Sequence, residues 1–444
     1  MKANHKLCLT LLLLLTAWTA RAQEPVVLTL EECIRTGLEE NLQIKIMRND
    51  ERIAGNNATR AAAGMTPTLD LNGGYNAAYD MTSTRTSAGT SASQKSVDQT
   101  MTASVDLNWT LFDGFAMQTN LKRLRELQAQ GEMLTRLQSE NLIADITTEY
   151  YNFIQQRLRL KNLRYAVKLS RERLRIAQAR FEVGKGSGLD LQQTSVDFNA
   201  DSSQYIKQHE LVETSRIRLN QLMNVKDVTS RIMVSDTLIN VDETLQYAPL
   251  LESLQTHNTE LKLAVSDECL SQADLKLARA SYYPYLKLNS GVGTSFRTYS
   301  DASNKHTNTW GPKIGLTVGF NLFDRNKRRQ ERNARIRQEN AQLSLEQLDL
   351  ELKADFNTLW NAYQNNLKVL RLERENERVA YNNYEIAYER YLLGDLSGIE
   401  MREAQKSLLD ANERKLTAEY DTKSCEIALL RICGLTQSYL KPSK

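Results

Sequence analysis

The sequence predicts a mainly α-helical chain with a β-barrel contribution, built from one unit used twice. Landmarks recur in the same order about 210 residues apart. Trp109-Thr110-Leu111-Phe112-Asp113-Gly114 returns as Phe320-Asn321-Leu322-Phe323-Asp324-Arg325, and Phe181 to Asp190 returns as Tyr391 to Glu400. Asn41 to Pro67 and Asn258 to Pro284 match in length and pattern, so near-constant spacing marks a duplication. Each copy contains a helix, two alternating strands and two further helices. The strands are too few to close on themselves, since about eight is the smallest number that makes a barrel, so several chains must contribute.

The elements follow in order. Leu28 to Ala63 is periodic and free of proline, which predicts one helix ended by Pro67. Thr68 to Tyr79 shifts to a two-residue period, and Asp80 to Gln99, rich in Ser, Thr, Ala and charge, reads as an exposed loop. In Met101 to Leu111 every second residue is apolar, including Val105, Leu107 and Trp109. The second copy repeats this: Pro284 ends a helix, Tyr285 to Phe296 alternates, Arg297 to Asn308 is a polar loop, and Ile314, Leu316, Val318, Phe320 and Leu322 share a face. The predicted strands, about 67–80, 100–112, 284–296 and 312–323, have lengths that suit a tilted bilayer crossing, though alternation alone equally fits a soluble sandwich.

Phe115 to Phe181 and Asn326 to Tyr391 then predict two very long helices, each about 100 Å at 1.5 Å per residue, with bundle spacing of apolar residues. Leu189 to Met223 and Ile399 to Ile432 follow after tight turns and fold back antiparallel. The duplicated halves are residues 23–225 and 248–436, with a β-leaning connector at 226–247 and a short tail at 437–444.

Composition narrows the function. Lys2, His5 and Lys6, the apolar run Leu7 to Trp18 and Ala20-Arg21-Ala22 form a secretory signal over residues 1–22. Cleavage removes three of the 57 Lys and Arg and none of the 54 acids, which leaves 54 of each. That balance argues against nucleic acid as a partner. Mean hydropathy is −0.50, and no second apolar stretch approaches a membrane helix, so any membrane crossing is made by strands. Cys33, Cys269, Cys425 and Cys433 are too few and scattered for a disulfide framework. No zinc spacing, nucleophile motif or phosphate-binding loop appears, so the sequence predicts no enzyme, no cofactor and no metal site.

The secretory signal, the duplication, the alanine–proline–leucine entries into the strands (Ala63 to Leu71, Ala280 to Leu288), the Leu-Phe-Asp exits and the two G-x-x-S-x-x-[DE] turns together resemble the TolC-type outer-membrane efflux proteins. The resemblance covers residues 26 to 436. It implies a homotrimer whose 12-stranded barrel lies in outer-membrane lipid and continues as an α-helical tunnel through the periplasm of a Gram-negative bacterium. It also implies a periplasmic adaptor (membrane fusion) protein and an inner-membrane transporter as partners, with the chain as a passive exit duct for small amphipathic molecules. Polypeptide secretion or metal-ion efflux through the same duct stays open, as does a periplasm-spanning structural or adhesive coiled-coil trimer.

Candidate site residues follow. The turns Gly184, Lys185, Ser187, Gly188 and Gly394, Asp395, Leu396, Ser397, Gly398 are expected at the periplasmic mouth, in contact with the adaptor. Ser187 with Asp190 and Ser397 with Glu400 have capping-box spacing. The resemblance instead places Glu400 and Glu403 around the narrowest aperture, where carboxylates favour cations, and Asp190 of the first-copy turn is a further aperture candidate. Leu396 stands where the family often has a latching arginine. Pro67, Phe112, Asp113, Pro284, Phe323 and Asp324 mark the strand–helix junctions. Val105, Leu107, Trp109, Leu316, Val318 and Phe320 are the expected lipid face.

Overall fold

The computed structural model describes residues 26–85, 87, 89, 91–299 and 306–440. The signal at 1–22, the tail residues 441–444 and part of each hairpin tip lie outside the described residues. The elements are β1 (Val26–Leu28), α1 (Leu30–Glu40), α2 (Leu42–Asn57), β2 (Thr68–Arg85), β3 (Ser91–Phe112), α3 (Ala116–Glu182), α4 (Gly188–Leu222), β4 (Ile232–Val234), α5 (Tyr247–His257), α6 (Thr259–Ala280), β5 (Tyr285–Tyr299), β6 (His306–Gly319), α7 (Arg325–Leu393) and α8 (Gly398–Ile432). A 3₁₀ turn, Thr436–Leu440, follows. The chain forms two compact units, and each draws on both halves of the duplication.

One unit comprises residues 48–134 and 261–348. Its centre is an antiparallel sheet in the order β2-β3-β5-β6. The strands run 18, 22, 15 and 14 residues, longer than the sequence suggested. Asp80 to Gln99, expected as a loop, is mostly strand: β2 pairs with β3 without interruption from Thr68↔Asn108 to Arg85↔Ser91. Ladder hydrogen bonds belong to the backbone, so a run of Ser and Thr carries them without an apolar face. Likewise His306 to Asn308, read as loop, begins β6. At the other end β6 stops at Gly319, leaving Phe320 and Leu322 beyond the strand they were expected to complete.

The two faces of the sheet differ sharply. Directly paired residues share a face, so the registers Leu71↔Val105↔Val292, Leu69↔Leu107 and Trp109↔Leu288↔Leu316 align apolar side chains on one side. The other side holds a polar ladder. Asn72 donates to Asp106 at 2.9 Å, Asn108 to Asp70 at 3.2 Å, and Asn289 to Asn108 at 2.8 Å. Lys313 of β6 pairs with Asp106 of β3 at 2.7 Å, across the intervening Gly291. A Cβ at Gly291 would sit 2.7 Å from the Asp106 carboxylate, so glycine is what allows this ion pair to cross a strand.

Ion pairs and hydrogen bonds tie the helical parts of this unit together. Arg123 meets Asp274 at 2.7 Å, Glu126 accepts from Ser266 at 2.6 Å, and Arg279 meets Glu331 at 3.2 Å.

Among the described residues, the other unit holds 26–47, 135–260 and 349–440. Its main core gathers Cys33, Ile34, Ile44, Ile146, Tyr150, Ile154, Leu219 and Met223. The single helix expected over Leu28 to Ala63 is instead β1, α1 and α2. β1 pairs in parallel with β4 of the connector, and Thr29 opens α1 with a capping box completed by Glu32. Asn41 breaks the helix because its backbone is extended (ψ 124°) and its side chain is engaged elsewhere, donating to the Leu222 carbonyl at 3.2 Å. Asn258 does the same between α5 and α6, with ψ 124° and a 2.8 Å bond to the Ile432 carbonyl. Each asparagine thus satisfies an orphan carbonyl at the end of a returning helix.

Candidate functional site: the paired helical turns

The two turns joining α3 to α4 and α7 to α8 are built from the same local chemistry. Gly184 (φ 72°) and Gly394 (φ 86°) occupy the left-handed region. Gly184 N–H bonds the Phe181 carbonyl at 3.0 Å and Lys185 N–H the Arg180 carbonyl at 2.8 Å; Gly394 to Tyr391 (3.1 Å) and Asp395 to Arg390 (3.0 Å) repeat the pattern. This is the Schellman arrangement, which closes the last carbonyls of a helix. Serine then opens the next helix in both turns.

Beyond the serine, the copies diverge. Glu400 completes a capping box: its carboxylate accepts from Ser397 N–H at 3.0 Å and from the Ser397 hydroxyl at 2.8 Å, while Ser397 Oγ accepts from Glu400 N–H at 3.2 Å. These bonds, led by the one from the Ser397 backbone, hold the Glu400 carboxyl below its ordinary value. Ser187 caps through Leu189 N–H at 3.1 Å, but the expected box with Asp190 does not form. Aspartate is one methylene shorter than glutamate, and its carboxylate points to the other turn. A Cβ on Gly398 would lie 2.7 Å from Asp190 Oδ1, so the two turns touch there.

Further links join the hairpins. Arg180 donates to the Tyr391 carbonyl at 2.9 Å and lies 4.7 Å above the Tyr391 ring. Buried Arg173 pairs with Asp197 and reaches Gln405 at 3.4 Å, and Arg402 holds both oxygens of Asp201 at 3.1 Å. Sequence reading missed this network: Arg402 and Asp201 are 201 residues apart, and no local pattern marks them as partners. Leu396 packs on an apolar cluster of Tyr384, Tyr391, Met401 and Leu408. Glu403, Lys185 and Asp395 are exposed, and Glu403 makes no ion pair among the described residues.

At the strand–helix junctions, Pro67 and Pro284 directly precede β2 and β5. The aspartates of the Leu-Phe-Asp motifs are helix caps, a role not assigned from sequence. Asp113 accepts from Met117 N–H at 2.9 Å, and Asp324 from Asn326 N–H at 2.8 Å. Phe112 packs edge-on against Phe115 at 5.2 Å, and Trp109 donates to the Met65 carbonyl at 3.1 Å. Trp109, Leu316, Val318 and Phe320 are exposed, and Val105 and Leu107 half-buried.

All four described cysteines are free; burial pushes the Cys33 and Cys433 thiols up to about 12. No helix among the described residues is long and apolar enough to cross a membrane, and no group of metal-ligating side chains converges among them.

Long helices, capped turns and a two-faced sheet with open edges define a membrane-channel type of chain, and comparison with known proteins specifies which. The model of the outer membrane efflux protein family matches residues 33–225 and 250–435. The chain belongs to that family. It is 22% identical over 363 residues to the probable efflux pump outer membrane protein SepC and to the toluene efflux pump outer membrane protein TtgF, both of Pseudomonas putida. That alignment covers 78% of this chain and 71% of each relative. Among solved structures, the outer-membrane channel OprN superposes with a TM-score of 0.76 at 17% identity, covering 91% of this chain and 89% of that one. The CmeC outer membrane channel of Campylobacter jejuni gives 0.76 at 17%, covering 92% and 86%. VceC of Vibrio cholerae gives 0.71 at 15%, covering 91% and 96%. The chain is therefore an outer-membrane efflux component that extends into the periplasm of a Gram-negative bacterium and is not an enzyme.

Proposed function

We propose that three copies close a 12-stranded barrel and act as a passive exit duct for small amphipathic molecules. The observation that carries this is the sheet: four strands, one apolar exposed face, one polar hydrogen-bonded face, and unpaired edges at β2 and β6 within the chain. An apolar outer band with a polar lumen is the pattern of a membrane barrel, and unpaired edges call for more strands. A toluene pump component among the relatives supports a small, largely apolar cargo.

The helices support ring closure. On α7, Leu372, Val379, Ile386 and Leu393 are exposed at seven-residue intervals, and α4 exposes Leu189, Val196, Ile206, Leu211 and Ile217 without a strict row. Seven-residue apolar spacing is what a helix needs to pack on another helix, and α3 and α8 already join the hairpins within the chain. The open faces of α4 and α7 are thus available to neighbouring copies. In this reading the paired turns form the periplasmic mouth and meet the adaptor, which connects to an inner-membrane transporter. Glu400, Glu403 and Asp190 would line the aperture.

Conductance of the purified protein in a planar bilayer tests this. The expected result is small cation-selective channels, less selective in Glu403→Ala. Failure of an intact, folded oligomer to insert would move the structural coiled-coil reading forward.

A further inference from the structure

Between residues 155 and 182, α3 carries nine bases and two acids, Glu172 and Glu182. Six of these bases, Arg157, Lys161, Arg164, Lys168, Arg171 and Arg175, follow each other at steps of four and three. That spacing keeps them on one side of the helix over roughly 27 Å. The opposite side, with Ala166, Ser170, Arg173 and Ala177, is buried. Lys161, Arg164, Lys168, Arg171 and Arg175 are exposed. Arg175 is paired with Glu172 at 2.6 Å and Arg171 lies over the Phe198 ring at 5.5 Å, but no carboxylate among the described residues pairs with Lys161, Arg164 or Lys168.

The end of this stripe nearest Arg157 enters a recess of about 770 Å³ between α3, α4 and β4. Arg231 adds to its basic lining, and Glu213 is its single acid among the described residues, already engaged by Arg216. Like charges held this close raise a positive potential that attracts anions.

We propose that this stripe is a docking surface for the carboxylate-bearing polymer of the periplasm, the cell-wall peptidoglycan. The open faces that a second copy would present on α4 and α7 set exposed acids such as Glu210 and Glu375 singly among apolar side chains, and offer no continuous row of carboxylates to match the stripe among the described residues. It also lacks the apolar anchors that concentrate binding energy between proteins; among the described residues between Arg157 and Arg175, Tyr165 is the only large apolar side chain that is exposed. A polymer needs no such anchors. Its peptide stems repeat free carboxylates along a polar backbone, and a row of cations answers them with many weak, salt-sensitive contacts. Such a tether would hold the duct at the wall without occupying its tips.

The test uses full-length protein in detergent, its oligomer checked on native gels, and washed peptidoglycan sacculi. Wild type should co-sediment at low salt and be released at about 0.5 M salt, where screening acts within a few ångströms. Binding should fall roughly tenfold in Lys161→Glu/Arg164→Glu/Lys168→Glu and persist in Lys161→Arg/Lys168→Arg. Sacculi with amidated carboxylates should lose unmodified protein, a control that alters no residue. Equal sedimentation of the wild type and the charge-reversed protein overturns the proposal. So does a reversal that shifts channel ion selectivity while sacculus binding holds, which would place the stripe in the lumen. Loss of adaptor binding with sedimentation unchanged would make the stripe a protein dock instead.

Discussion

Glu400 combines a structural bond with a candidate electrostatic role, and one substitution separates them. Its carboxylate closes the box on Ser397, while its charge would act on passing ions. Glutamine keeps an oxygen that can accept from Ser397 N–H but removes the charge. Glu400→Gln should therefore lower cation selectivity with little change in the stability of the α8 start, whereas Glu400→Ala should lower both. Bilayer reversal potentials and proteolysis at the turn read the two effects independently; unaltered selectivity in Glu400→Gln would reduce the residue to a cap. The pH dependence has a definite sign. The folded carboxyl sits below its ordinary value because the Ser397 backbone and hydroxyl bond its charged form. Its stabilisation is thus complete above the unfolded value of about 4.3 and is lost as pH falls through the lower folded value. The cap and the Glu400 charge should both survive mild acid. At the neighbouring contact, Gly398→Ala would push a methyl group against the Asp190 carboxylate, which must swing aside; the link between the turns should weaken and single-channel conductance should rise.

At the scale of elements, the ends of the helices were legible because glycine and serine impose them. Gly184 and Gly394 each have open space where a Cβ would stand, so alanine there meets only the left-handed backbone, at a cost of about 1–2 kcal/mol. Gly184→Ala and Gly394→Ala should each destabilise their hairpin by that amount in thermal unfolding, with asparagine milder than alanine; no loss would mean the turn relaxes to another conformation. The strand ends were less legible. Thr82 and Gln99 lie in strands that hydrophobic alternation does not mark, because pairing there rests on the backbone. The breaks at Asn41 and Asn258 were hidden as well, although the repeat aligned both residues: a helix interrupted for one residue to cap a distant helix leaves no periodic signature. The Arg173, Asp197, Arg402 and Asp201 network was illegible for the same reason, since its meaning lies in the packing of α3, α4 and α8.

At the scale of the whole molecule, duplication leaves a protein with two kinds of unfinished surface: sheet edges at β2 and β6, and apolar helix faces on α4 and α7. The strand count predicts that other chains complete the sheet, while the open helix faces emerge only in the structure and the count of three rests on family likeness. The two surfaces can be tested apart. Val379 and Ile386 are exposed on α7, whereas the buried contacts of that helix include Leu370, Tyr384 and Tyr391. Val379→Asp/Ile386→Asp therefore leaves the packing within the chain intact, but burying both carboxylates between copies would cost several kcal/mol. The expected outcome is a shift from trimer toward monomer in native mass spectrometry, with helical circular dichroism preserved. Leu316→Arg, on the apolar face of β6, should act on the other surface and cost about 2–4 kcal/mol if the residue lies near the bilayer midplane, measured as lost insertion into vesicles. A Val379→Asp/Ile386→Asp protein that remains fully trimeric would show that the sheet edges alone hold the copies together and that the exposed stripe on α7 serves another partner.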